Sequence, residues 1–231
     1  LIKNNTWKLA KLPDGVKAVG CRWVFKVKHK SDGEVDRFKA RLVAKGFTQR
    51  PGIDYNETFS PVARFASIRA LLAVSLEKEM IVHQMDVETA FLNGVLEEDI
   101  YMEQPPGYIQ LGSENLLCKL NKSLYGLKQS PRCWNIVLND YLLSIGFTRC
   151  DADNCIYVRN TDCGLFLIAV YVDDLILSSS NSNQMTEVKD RLSSRFSMTD
   201  QQSSALVTDI TSSSVVSPAK HLHHPYSLMG T

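Results

Sequence analysis

Two adjacent acids, Asp173 and Asp174, stand inside the apolar run "LFLIAVYVDDLILSSSN", residues 165–181. A carboxylate pair between segments that both favour burial is costly unless a turn exposes it or a cation neutralises it. A third acid, Asp86, ends the apolar stretch "IVHQMDV" 87 residues before Asp173. If the two stretches are neighbouring strands, three carboxylates converge at one end of a sheet. Hard oxygen donors in such a group suit Mg²⁺, which binds through a few carboxylates and keeps room for substrate phosphates. Two such ions about 3.5–4 Å apart can stabilise both the attacking and the leaving oxygen of a phosphoryl transfer. From the residues alone two readings stand: metal-dependent nucleotidyl transfer, and ordinary turn acids. The first requires Asp86 within about a dozen ångströms of the doublet, the reach of one ion pair.

A partner for phosphate is visible near the start of the chain. Residues 1–50 carry thirteen Lys or Arg against four acids, whereas residues 77–115 carry nine acids against the single base Lys78. The overall net charge of +1 hides this segregation. The stretch "CRWVFKVKHKSDGEVDRFKARLVAKG" reads as a β-hairpin turning at Asp32-Gly33. That turn sets Lys30 opposite Val35, Lys28 opposite Arg37 and Lys26 opposite Lys39. Alternation then gathers Lys26, Lys28, Lys30, Arg37, Lys39 and Arg41 on one face. Trp23, Phe25, Val27, Phe38, Ala40 and Leu42 fall on the other. Like charges facing across a ribbon destabilise it, so a shared anion explains the pattern better than chance. The alternative is a solubilising Lys/Arg face on an edge hairpin.

The elements that must position these groups can be read further along. "ASIRALLAVSLEKEM" predicts an amphipathic helix over 66–80, and "IVHQMDV" a strand. A turn is expected at Asn93-Gly94, and Pro105-Pro106 ends the following run. "QSPRCWNIVLNDYLLSIGF" predicts a helix with Ser130 as its cap, Pro131 in its first turn and Gly146 past its end. Its apolar stripe is Trp134, Leu138, Tyr141, Leu142 and Ile145. "NCIYVR", "LFLIAVYV" and "LILSSS" read as strands, and "NSNQMTEVKDRLSSRF" as another capped helix. The order predicts an α+β layer: an antiparallel sheet with helices on one face. After Phe196 the composition turns to Ser and Thr, and little order is expected there. The length allows one domain with a subdomain. No apolar run reaches the roughly 18 residues of a membrane span. The six cysteines form no CxxC pair and are expected as reduced thiols. The first residue is Leu, which is expected of a piece of a longer reading frame.

Seven blocks resemble the reverse transcriptase domain of copia-type LTR retrotransposon Pol polyproteins. They stand as "NNTWKLAKLPDG", "GCRWVFKVK", "DRFKARLVAKGFTQRPGIDYNETFSPVA", "QMDVETAFLNG", "LEEDIYMEQPPGY", "KLNKSLYGLKQSPRCW" and "AVYVDDLIL". Together they cover about residues 4 to 180 in the family's order and spacing. The resemblance implies a right-hand polymerase, with a fingers-like region over 1–80 and a palm over 81–200. Fingers elements are interleaved at about 93–130. It implies that Asp86, Asp173 and Asp174 are the metal-binding catalytic acids of an RNA-directed DNA polymerase that uses two Mg²⁺ ions, with Mn²⁺ as a substitute. Phe91 falls where the family places an aromatic gate against a 2′-hydroxyl. Lys39 and Arg41 fall on its triphosphate-binding cations, with Tyr125 and Gly126 also beside the incoming dNTP. Lys28, Lys30, Lys128, Gln129, Ser130, Pro131 and Tyr171 fall on its template and primer contacts. His83 is read as structural, because a single His without partners is seldom a ligand.

The implied partners are an RNA or DNA template with its primer, dNTPs, and the integrase and RNase H segments of a Pol polyprotein, with no membrane. The implied setting is the cytoplasm, in a virus-like particle, with nuclear entry. The family's Leu-Gly step and following strand are missing after "RFSM". The tail over 201–231 diverges as a reading-frame slip or decayed copy would, leaving the thumb absent or degenerate. "HLHH" at 221–224 lies in that tail and is read as no metal site. A second function therefore stays open: a catalytically inactive remnant that at most binds nucleic acid.

Overall fold

The computed structural model describes residues 1, 4–30 and 32–201. In chain order the strands are β1 (Trp7–Ala10), β2 (Cys21–His29) and β3 (Val35–Ala44). Helix α1 (Phe65–Glu77) precedes β4 (Ile81–Val87), β5 (Tyr101–Met102) and β6 (Leu117–Leu120). Helix α2 (Ser130–Ser144) leads to β7 (Thr148–Cys150), β8 (Asp153–Thr161), β9 (Gly164–Tyr171) and β10 (Asp174–Ser179). Helix α3 (Ser182–Arg195) and β11 (Met198–Gln201) complete the described chain. The class is α+β, and every strand-to-strand ladder is antiparallel.

The largest sheet has six strands in the order β11-β4-β10-β9-β8-β7. Its two faces are covered differently. Phe166, Ile168 and Val170 of β9 meet the α2 stripe Trp134, Leu138 and Leu142 and the α3 stripe Met185, Val188 and Leu192. Leu167 and Ala169, which alternate with them, instead meet Leu71 of α1 on the opposite side. The expectation of helices on one face is thus corrected: α2 and α3 share one face, and α1 covers the other. An amphipathic period says that a helix has an apolar stripe but not which side of a sheet receives it. Each of these large apolar side chains contributes about 1.5–3 kcal/mol when fully buried.

The helix ends are held by identifiable groups. Asn181 caps α3, its side chain accepting from the backbone N–H of Asn183 and Gln184 at 2.9 and 3.2 Å. Gly146 follows α2 at φ +89°, the left-handed geometry that favours glycine at a helix end. Ser130, however, is not the α2 cap. Gln129 occupies that position without a side-chain bond, while the Ser130 hydroxyl donates to the Leu124 carbonyl. Helix α1 has no local side-chain cap; Asp153, on β8, accepts from the Arg64 N–H at 3.0 Å.

A three-stranded sheet, β1-β6-β5, and the β2-β3 ribbon form the rest. Cys21, Leu42 and Ala44 at the ribbon's base join Met102, Cys118, Leu120 and Leu124 in a second core. Toward the tip the ribbon's apolar face is bare, with Phe25 76% and Phe38 81% exposed. The expected lack of order after Phe196 is corrected over Met198–Gln201, which pairs with β4. The rest of the tail, with "HLHH" and any thumb, lies outside the described residues. Among the described residues no helix is long and apolar enough to cross a membrane. All six cysteines are free thiols, and burial pushes Cys21 up to about 11 and Cys118 up to about 12.

Candidate active site

Alternation along β4 sends Met85 and Val87 into the α2/α3 core and leaves Gln84 and Asp86 on the other face. Asp86 is paired directly with Asp174 in the β4–β10 ladder, as Gln84 is with Ile176. Directly opposed antiparallel residues have Cα atoms roughly 4.5–5.5 Å apart, well inside the dozen ångströms the metal reading requires. The Gln84 amide donates to Asp174 Oδ1 at 3.2 Å.

Asp173 arrives by a tight turn. Tyr171 pairs with Asp174, so Val172 and Asp173 are the two residues between β9 and β10. The Asp173 carbonyl accepts from the Val87 N–H at 2.9 Å, which ties the turn to the end of β4. Burial raises the Asp86 carboxyl above its ordinary range, and the neighbouring Asp173 carboxylate raises it further, while Lys39 and Lys28 oppose both. Like charges drawn together in a half-buried position call for a cation. Among the described residues no three His, Cys, Asp or Glu side chains form a ready-made metal cage.

The ribbon faces these acids. Lys26 is opposite Lys39 and Lys28 opposite Arg37, as expected, and Val24 is opposite Arg41. The tip differs. A bulge falls at Lys28/His29, His29 rather than Lys30 pairs with Val35, and Lys30 closes the turn by donating its N–H to the Glu34 carbonyl. The Lys30 ammonium pairs with Glu34 at 3.2 Å, both side chains being exposed. Lys39 is lowered from its ordinary value by burial first, then by Arg41 and Lys28, while Asp86 acts in the opposite sense.

Two aromatic rings stand against the ribbon at Arg41. The Arg41 guanidinium sits 5.4 Å from the Tyr125 ring centroid, and Tyr125 lies 4.6 Å from Phe91 at 60°. Phe91 is 2% exposed and part of the main core. Gly126 is at φ +94°, and a Cβ there would stand 2.1 Å from the Ala44 carbonyl oxygen. The Ala44 N–H donates to the Tyr125 carbonyl at 2.8 Å, so this glycine allows the 125–126 backbone to lie against the base of the ribbon.

The remaining expected contacts divide by burial. Lys128 is exposed, and Tyr171 and Pro131 are half-buried. The side chains of Gln129 and Ser130 are internal, at 1% and 0% exposure. Gln129 accepts from the Gln49 amide at 3.0 Å and donates to the Asp54 carbonyl at 3.1 Å. Gln49 in turn accepts from the Lys128 N–H at 2.8 Å. Gln49 and Gln129 thus form a buried amide pair that orients the loop carrying Lys128, and no spacing in the sequence signals it. The half-buried His83 has a partner, with Lys189 on α3 at 2.9 Å from its Nδ1.

A family model described as "Reverse transcriptase (RNA-dependent DNA polymerase)" matches residues 4–211. The chain belongs to the reverse transcriptase family. It is 46% identical over 202 residues to the "Retrovirus-related Pol polyprotein from transposon RE1" of Arabidopsis thaliana, covering 87% of this chain and 14% of that protein. It is 43% identical over 201 residues to the corresponding protein "from transposon TNT 1-94" of Nicotiana tabacum, covering 87% and 15%. A "Putative transposon Ty5-1 protein" of Saccharomyces cerevisiae is 41% identical over 116 residues, half of this chain and 38% of that one. The copia-type resemblance is upheld, and this reverse transcriptase segment spans about a seventh of the length of the two Pol polyproteins.

Proposed function

We propose that the chain is an RNA-directed DNA polymerase domain that transfers nucleotidyl units from dNTPs to a primer 3′-hydroxyl. The observation that carries this reading is the direct pairing of Asp86 with Asp174, with Asp173 beside them and the ribbon lysines Lys39 and Lys28 acting on Asp86. In this reading residues 1–80 are the fingers, 81–200 the palm, and the ribbon closes over the incoming nucleotide.

Asp86, Asp173 and Asp174 are the residues that would hold Mg²⁺, two ions with Mn²⁺ as a substitute. Bound there, the metal supplies charge neutralisation for the attacking and departing oxygens. The chain's own residues do the positioning. Lys39 and Arg41 bind the triphosphate, and Lys39, whose proton affinity is lowered by burial first and then by Arg41 and Lys28, gains from an anion beside it. Tyr125 supports Arg41 from below, and Phe91 backs Tyr125 where a ribose 2′-hydroxyl would press. Lys28, Lys128, Pro131 and Tyr171 line the path of template and primer. No side chain is required to shuttle a proton, because charge neutralisation and alignment account for most of the rate. In this role the domain works beside RNase H and integrase segments of a Pol polyprotein, in a cytoplasmic virus-like particle with access to the nucleus.

Primer extension on an RNA template with dNTPs and Mg²⁺ tests the proposal. Extension that Asp173→Asn abolishes is the expected result. Salt-sensitive nucleic-acid binding with no extension would replace it with the reading of a binding remnant.

A further inference from the structure

We propose that Trp134 is a positioning residue that latches the acid-bearing turn from the core side. The inference rests on the polymerase reading for its catalytic consequence, but not for the latch itself. Val172 has φ +59°, a left-handed conformation that a β-branched residue rarely adopts. Among the two residues between β9 and β10 it alone has positive φ, the pattern of a type II′ turn, whose first central position ordinarily takes glycine. Such a conformation persists only where the surroundings over-determine it.

Two bonds hold it here. The Asp173 carbonyl is fixed by the Val87 N–H from β4. The Val172 carbonyl is fixed from the opposite side by the Trp134 indole N–H at 2.7 Å. Trp134 cannot easily move. It is 2% exposed, lies in the α2 stripe and packs edge-on against Phe196 at 5.1 Å. A rigid ring anchored in the core thus reaches the peptide immediately before Asp173. Its only donor is spent on that carbonyl. The same carbonyl without the indole would leave Val172 free to relax to negative φ, and the Asp173 carboxylate would swing with it.

Trp134→Phe keeps a ring in the core and removes only the donor. Amide hydrogen exchange by NMR on the wild type, Trp134→Phe and the double variant Trp134→Phe/Val172→Gly reads the turn directly. Glycine accepts positive φ without strain, so it removes the need for the latch. The Val87 amide is expected to exchange about tenfold faster in Trp134→Phe, the effect of one lost buried bond, and to return towards wild type in the double variant. Wild-type exchange in Trp134→Phe overturns the latch. So does a faster exchange that Val172→Gly leaves uncorrected, since that marks general loosening. Primer extension on the same three proteins is expected to show kcat down about 10- to 100-fold in Trp134→Phe with KM for dNTP little changed, as for other residues that orient metal ligands. An unchanged kcat overturns the catalytic consequence. If even the wild type fails to extend, the polymerase reading falls while the exchange data still decide the latch.

Discussion

Lys39 and Asp86 belong to different sheets, yet each shifts the proton affinity of the other. The ribbon therefore lies over the carboxylates in a pose that an incoming polyanion with its counter-cations would fill. Burial first, then the neighbouring cations Arg41 and Lys28, lowers Lys39, and burial first, then the Asp173 carboxylate, raises Asp86, so each group would gain from an opposite charge placed between them.

The first consequence concerns Asp86 and pH. Its carboxyl ordinarily titrates at 3.8 and is raised on folding, so the folded chain keeps a proton that the unfolded chain has already released. Stability therefore falls as pH rises from the ordinary value through the raised one, and the penalty is fully present at neutral pH. Asp86→Asn is expected to melt higher than wild type at pH 7, by about 2 °C or more, and to lose that advantage at pH 3. Thermal melts at the two pH values check both.

The basic face makes a second prediction. Removing Lys39 or Arg41 is expected to raise KM for dNTP by about tenfold or more, because each supplies a charge-assisted bond to phosphate. Lys28→Ala and Lys128→Ala are expected to weaken duplex binding uniformly across sequences, each lowering the salt slope by about one. Lys30→Ala is expected to do neither, since its ammonium is engaged by Glu34. Steady-state kinetics and filter binding at several salt concentrations separate the three classes.

Phe91 is both core residue and proposed gate. Phe91→Ala is expected to cost about 3–5 kcal/mol, as for other buried aromatic truncations, and denaturant unfolding measures it. Phe91→Leu keeps most of the volume and is expected to raise ribonucleotide insertion relative to deoxynucleotide. An unchanged sugar preference in a folded Phe91→Leu protein would leave Phe91 a packing residue alone.

Gly126→Ala is expected to destabilise by at least about 2 kcal/mol. The added methyl would meet the Ala44 carbonyl at 2.1 Å, and φ +94° is unfavourable for any L side chain. A wild-type melting temperature in this variant would contradict the close approach of the 125–126 segment to the ribbon.

The parts of this architecture that sequence reveals are those governed by local period. The β4, β9 and β10 strands are apolar and read as strands, although the turn between β9 and β10 falls at Val172-Asp173 and leaves Asp174 inside β10. The ribbon's charged face follows from alternation, down to the pairing of Lys28 with Arg37. What escapes is decided by partners distant along the chain. The short strands β5 and β6 exist because β6 pairs with β5 on one side and with β1 on the other, and segments of two and four residues carry no period of their own. The start of α1 is capped by Asp153, which no motif links to Arg64. Ser130 has the right chemistry for a cap, but the Leu124 carbonyl competes for its hydroxyl. β11 forms despite weak alternation because the edge of β4 offers it unpaired backbone. Within the site, the acids are legible; Gln84, the Gln49–Gln129 pair and the Trp134 bond become visible only when the chain is folded.

Binding of Mn²⁺, followed by calorimetry, tests the central claim most directly, because it asks whether the carboxylates act together before any chemistry. The wild type is expected to bind the ion, with Asp86→Asn and Asp173→Asn each weakening it by at least about tenfold, and with Lys39→Ala strengthening it by removing a competing charge. Equal Mn²⁺ affinity in the wild type and both Asn variants would contradict the account.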